Sequence, residues 1–144
     1  MGNVTVTQEL PVAADKLWAA VSDPHTWESW LTIHAGWLEE PPAELAEGAP
    51  LVEKVVMLGM ANKLDWTVET LTPGATLVIA GTGMAGVKSR FAFGLEASGE
   101  STTVSIDAVF EGSLIVGALG KAVEKDARKN LGESLEKLAA FASA

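Results

Sequence analysis

The chain has 144 residues and no cysteine, and 19 acidic against 10 basic side chains leave a net charge of −9. Disulfides, thiolate zinc sites and cysteine nucleophiles are therefore excluded. A surface this acidic repels DNA, RNA and anionic membranes, whose affinity rests on Lys and Arg neutralising phosphates.

The length fits one domain, residues 1–144, large enough to bury a core without covalent staples. No run approaches the ~20 apolar residues of a membrane span. The N-terminus lacks the basic region and apolar run of a secretory signal. A cytoplasmic location is the expectation.

Asn3–Leu10 alternates Val4 and Val6 with Thr5 and Thr7, the period of a half-buried strand, and Pro11 ends it. Ala14–Val21 places Leu17, Trp18 and Val21 at helical spacing. Asp23-Pro24 breaks that helix and opens a second, Pro24 to about Leu31, with Asp23 as its cap. Six strands are expected next: His34–Glu39, Leu51–Met60, Asn62–Leu71, Thr76–Thr82, Val87–Glu96 and Thr102–Glu111. Breakers such as Ala61-Asn62, Pro73-Gly74 and Ser98-Gly99-Glu100 separate them, and connections this short imply antiparallel neighbours.

Alternation puts Leu64, Trp66 and Val68 on one face of their strand, with Phe91, Phe93 and Leu95 and then Val104, Ile106, Ala108 and Phe110 doing the same. Asp65, Glu69, Asp107 and Glu111 fall on the wet face. Glu53 and Lys54 put one charge on each face of Leu51–Met60, so its register stays open. From Leu114 to Ala142 apolar residues recur at helical spacing: Ile115, Leu119, Val123, Ala127, Leu131, Leu135, Leu138 and Phe141. One long helix after a strand meander covers the open face of a curved sheet. Its interior Gly120 and Gly132, each costing about 1 kcal/mol against alanine, suggest close packing, room for a ligand or a local bend.

Gly81-Thr82-Gly83-Met84-Ala85-Gly86 matches G-x-G-x-x-G, but the residues that follow read as a strand, not the helix start that holds a pyrophosphate. A glycine-rich hairpin is the reading. His25 and His34 are nine apart without carboxylates at ligand spacing, so no metal site is expected, and no cofactor. Five tryptophans and no tyrosine, with Met57, Met60 and Met84 in the same middle region, suit an irregular apolar cavity.

The order strand, two short helices, six strands and long helix resembles the α+β helix-grip fold of the START-like SRPBCC superfamily. Leu10-Pro11-Val12, Ala14-Asp15-Lys16-Leu17-Trp18 and Ser22-Asp23-Pro24-His25-Thr26-Trp27-Glu28-Ser29-Trp30 look like the opening of its polyketide cyclase/dehydrase-like branch. Trp30-Leu31-Thr32-Ile33-His34, Gly59-Met60-Ala61-Asn62-Lys63-Leu64-Asp65-Trp66-Thr67 and Gly83-Met84-Ala85-Gly86-Val87-Lys88 are similar to an actinobacterial subgroup that includes the toxin of a mycobacterial toxin–antitoxin pair. The resemblance implies a curved seven-stranded antiparallel sheet wrapped round the C-terminal helix. It also implies an apolar cavity between them, used across the superfamily for lipids, sterols, polyketides or hormones.

The expected function is binding of a small apolar or aromatic ligand. Trp27, Trp30, Trp66, Phe91, Phe93, Phe110, Leu119 and Val123 would form the walls, and His34 and Asn62 would orient a polar end. The alternatives are a cyclase or dehydratase with His34 as general base, and a toxin restrained by an antitoxin-like protein partner.

Overall fold

A computed structural model describes residues 2–83, 86–113 and 115–144. Met84 and Ala85 of the glycine-rich turn, and Leu114 at the expected head of the last helix, lie outside the described residues. The elements are β1 (Gly2–Leu10), α1 (Ala14–Val21), a 3-10 turn (Pro24–Thr26), α2 (Trp27–Trp30), β2 (His34–Trp37), β3 (Pro50–Met57), β4 (Met60–Thr72), β5 (Thr76–Thr82), β6 (Lys88–Ser98), β7 (Ser101–Glu111) and α3 (Gly117–Ser143). The strands form one curled antiparallel sheet in the order β1-β7-β6-β5-β4-β3-β2. This is the α+β helix-grip arrangement expected from the order of elements.

Alternation settles the faces. Leu64, Trp66 and Val68 on β4, Phe91 and Phe93 on β6, and Val104, Ile106, Ala108 and Phe110 on β7 are buried, and strand pairing sets Phe91 opposite Ala108 and Phe93 opposite Ile106. β3 pairs with β4 so that Leu51, Glu53 and Val55 meet Trp66, Leu64 and Asn62. Glu53 therefore points inward at 1% exposure, while Lys54 lies outside opposite Lys63.

Three boundaries differ from the sequence reading. The β3–β4 turn falls at Leu58-Gly59 rather than Ala61-Asn62, because Met57 pairs directly with Met60 and both turn residues have positive φ, 53° and 73°. That is a two-residue hairpin of the kind matched to strand twist, with glycine taking one left-handed position and a leucine forced into the other. The expected second helix divides into the 3-10 turn and the single turn of α2, and the Asp23 side chain accepts from His25 N–H at 3.0 Å as its cap. α3 begins at Gly117, three residues later than the periodicity suggested. Leu119 and Phe141, on the expected apolar stripe, are 43% and 38% exposed.

Helix α3 lies chiefly along β1, α1 and α2 and touches β3 and β7 only lightly. Its inward side chains are small in the first half (Gly120, Val123, Ala127) and large in the second (Leu131, Leu135, Leu138). Polar ties fix its position. Asn3 N–H donates to Glu124 at 2.9 Å, Thr32 N–H to the Ser134 hydroxyl at 3.0 Å, and the Thr32 hydroxyl to the Asn130 carbonyl at 2.8 Å. No helix among the described residues is long and apolar enough to cross a membrane.

The two interior glycines of α3 differ. A Cβ on Gly120 would lie 3.3 Å from the Ile115 backbone, so close packing explains it. A Cβ on Gly132 would meet nothing within 4 Å. Gly132→Ala should therefore stabilise the protein by about 1 kcal/mol, the helix-propensity difference, as an unchanged urea slope with a higher midpoint.

Candidate ligand cavity

The rings that the sequence offered as walls form a packed cluster. Trp27 meets Trp30, Trp37 and Phe93 with centroids 6.3, 5.4 and 6.1 Å apart, and Phe91 bridges Trp66 and Phe110 at 5.4 and 5.8 Å. Edge and tilted geometries of this kind favour aromatic pairs beyond the area they bury. Their polar handles are used internally. The indole N–H of Trp27 donates to the Val21 carbonyl at 3.1 Å, that of Trp30 to the Thr26 hydroxyl at 3.1 Å, and that of Trp37 to the Pro24 carbonyl at 3.0 Å.

His34 and Trp66 belong to a second buried unit centred on Glu53. The two carboxylate oxygens of Glu53 divide the work: Oε1 accepts from Trp66 Nε1 at 2.8 Å, and Oε2 lies 2.5 Å from His34 Nδ1. The side chains of His34 and Glu53 are 2% and 1% exposed, and the imidazole also packs on Trp37 at 4.8 Å. A carboxylate on an apolar face is tolerable only with such partners. Glu53 was not among the expected site residues. Its signal was its place between Leu51 and Val55, two inward residues on either side.

The open space lies elsewhere, where α3 stands off from the β3–β4 hairpin. It is an apolar cavity of about 220 Å³. The hairpin contributes Val55, Met57, Leu58, Met60, Asn62 and Leu64; the far side is Gly83, Val87, Ser89 and Phe110; Ile115, Leu119 and Val123 close the top. Met60 (54% exposed) and Leu119 mark its mouth. Leu58 N–H donates to Asp126 of α3 at 3.0 Å, tying the hairpin tip across the space.

Of the expected ligand-binding residues, Asn62, Phe110, Leu119 and Val123 come together on this cavity. Trp27, Trp30, His34, Trp66, Phe91 and Phe93 do not line it: the rings pack against one another, and His34 and Trp66 bond to Glu53. Asn62 lies near the lip, its amide nitrogen 3.3 Å from the Met60 carbonyl. Ser89 was missed. It precedes Phe91 by two, so it shares the concave face, and it is 5% exposed with no hydrogen-bond partner for its hydroxyl among the described residues.

His25 is half-exposed. Its Nε2 lies 2.9 Å from Glu40, a hydrogen bond that raises the imidazole pKa above its ordinary value. No three His, Asp or Glu side chains gather as a metal site among the described residues.

A curled sheet gripping one long helix, with an apolar hollow at one end, defines the helix-grip class of domains. Within it the chain belongs to the polyketide cyclase / dehydrase and lipid transport family, whose model matches residues 1–142. A protein named Toxin Rv0910 from Mycobacterium tuberculosis is 27% identical over 136 residues, 94% of each chain. TTHA0849 from Thermus thermophilus has the same fold, with TM-score 0.80 and 16% identity over 98% of this chain and 97% of that one. DynU16, a putative protein in the dynemicin biosynthetic locus, aligns with TM-score 0.71 and 20% identity over all of this chain and 48% of its own.

The Glu53 unit gives a direct test. Glu53→Ala strips both the Trp66 indole and the His34 imidazole of their acceptor inside the core. Urea unfolding should register a loss of about 3 kcal/mol, and Glu53→Gln, which keeps an acceptor, a smaller one.

Proposed function

We propose that this protein binds a small apolar ligand in the cavity between the β3–β4 hairpin and α3. The observation that carries the reading is the cavity itself: about 220 Å³, with walls almost wholly apolar and no charged side chain among the described residues that line it. An apolar cavity of about 150 Å³ stays dry and admits benzene, whereas drug-sized sites run to about 300–1,000 Å³. This one suits a single aromatic ring or a short aliphatic chain. A longer lipid or polyketide would extend past Met60 and Leu119 into solvent. Binding gains about 25 cal/mol per Å² of apolar surface removed from water, less the cost of ordering.

A cyclase or dehydratase would draw on His34 as base. That imidazole is bonded to Glu53 and does not line the cavity, which supports binding over catalysis.

The test uses p-xylene. At ten times its Kd it should stabilise the protein by about 1.4 kcal/mol, a rise in Tm of roughly 5 °C. Val123→Phe fills the space from α3 and should abolish that rise while the protein stays folded. A wild-type Tm that p-xylene and p-cresol both leave unmoved would sink the reading.

A second reading rests on the relatives named as toxins, which match nearly the whole chain. On it, this chain is the toxin of a pair restrained by an antitoxin-like partner. Induced expression should then arrest growth of the host, and co-expression of the product of the adjoining reading frame should restore it. Unimpaired growth on expression alone removes this reading.

A further inference from the structure

The geometry points to Ser89 as the polar anchor of the cavity, selecting ligands that carry one neutral oxygen on an otherwise apolar body. The inference rests on the cavity-binding reading above and narrows it to a class, such as a phenol or another small oxygenated ring.

Ser89 lies on β6 between Gly81 of β5 and Phe110 of β7. Its flanking residues Lys88 and Arg90 are exposed, whereas Phe91, on its own face, is buried. The side chain therefore faces the concave side and stands among the cavity walls. It is 5% exposed, and its hydroxyl has no hydrogen-bond partner among the described residues. Every side-chain nitrogen or oxygen among the described residues that is sealed from solvent has a partner. Ser89 thus keeps a hydroxyl that opens onto the hollow rather than one sealed in packed protein.

With no hydrogen-bond partner among the described residues, that hydroxyl is available to a ligand. A neutral oxygen or hydroxyl on the ligand would satisfy it, since a serine hydroxyl both donates and accepts. Among the described residues no charged side chain lines the cavity, so an ionised ligand group would stay uncompensated there. Asn62, the other polar wall residue, is less buried, and its amide nitrogen is already directed at the Met60 carbonyl.

The experiment compares p-cresol with p-xylene, which differ by a hydroxyl in place of a methyl group, on wild type and Ser89→Ala by calorimetric titration. Ser89→Ala should weaken p-cresol about 3- to 10-fold, the worth of one neutral hydrogen bond, and leave p-xylene within about twofold. Both probes binding wild type with a ratio that Ser89→Ala leaves unchanged overturns the anchor and spares the cavity reading. A lower Tm for the empty variant also overturns it, because the hydroxyl would then be supporting the fold. Failure of both probes to bind wild type removes the cavity reading and the anchor together.

Discussion

One constraint governs this molecule: a single helix must cover the concave face of a seven-stranded sheet. The sheet curls because twisted strands accumulate rotation, and one helix of 27 residues is the main cover available. The side-chain sizes along α3 decide how well it fits. Leu131, Leu135 and Leu138 are the large buried residues of its second half, while the smaller Val123 of the first half leaves a gap toward the β3–β4 hairpin. Ridge height thus tapers along the helix, and the cavity forms at the low end. The ties to Thr32 and Asn3 keep the helix from settling into that gap.

The inner face carries two kinds of polar residue, and they mean different things. Glu53 is fully served, with one oxygen for Trp66 and one for His34. Such a network fixes strand register and ring orientation, because any shift would strand a buried carboxylate. Ser89 has no hydrogen-bond partner for its hydroxyl among the described residues and stands at the edge of empty space. A fold that satisfies its most demanding buried group while leaving a cheaper one open has separated its packed end from its receptive end.

Much of this was readable in the chain. Period-two alternation assigned the faces of β4, β6 and β7, and the helical spacing of Val123, Ala127, Leu131, Leu135 and Leu138 found the buried stripe of α3. The cavity walls were harder. Alternation says that Trp66, Phe91 and Phe93 point inward, but not whether they meet a void or one another; that depends on pairing between strands and on the docking of Trp27 and Trp30, which are long-range events. Rings therefore looked like walls when they were filling. Glu53 was ambiguous because one charge fell on each face of β3, and pairing with Leu64 alone resolves it. Ser89 was legible in principle, two residues before Phe91, yet a lone serine on an apolar face carries no signal until the space beside it is known.

Leu58 joins these threads. A β-hairpin of two residues normally uses Asn or Gly at left-handed positions, and a leucine there costs roughly 1–2 kcal/mol. Yet Leu58 has φ of 53°, its N–H is held by Asp126, and its side chain helps to line the cavity. Asparagine would suit the turn but would put an amide where the wall is apolar. The strained conformation persists because α3 and the cavity wall together determine it, and such over-determined strain gathers where a fold is shaped for use. The hairpin tip is thus set by the helix it faces, so the width of the hollow and the seating of α3 are one variable.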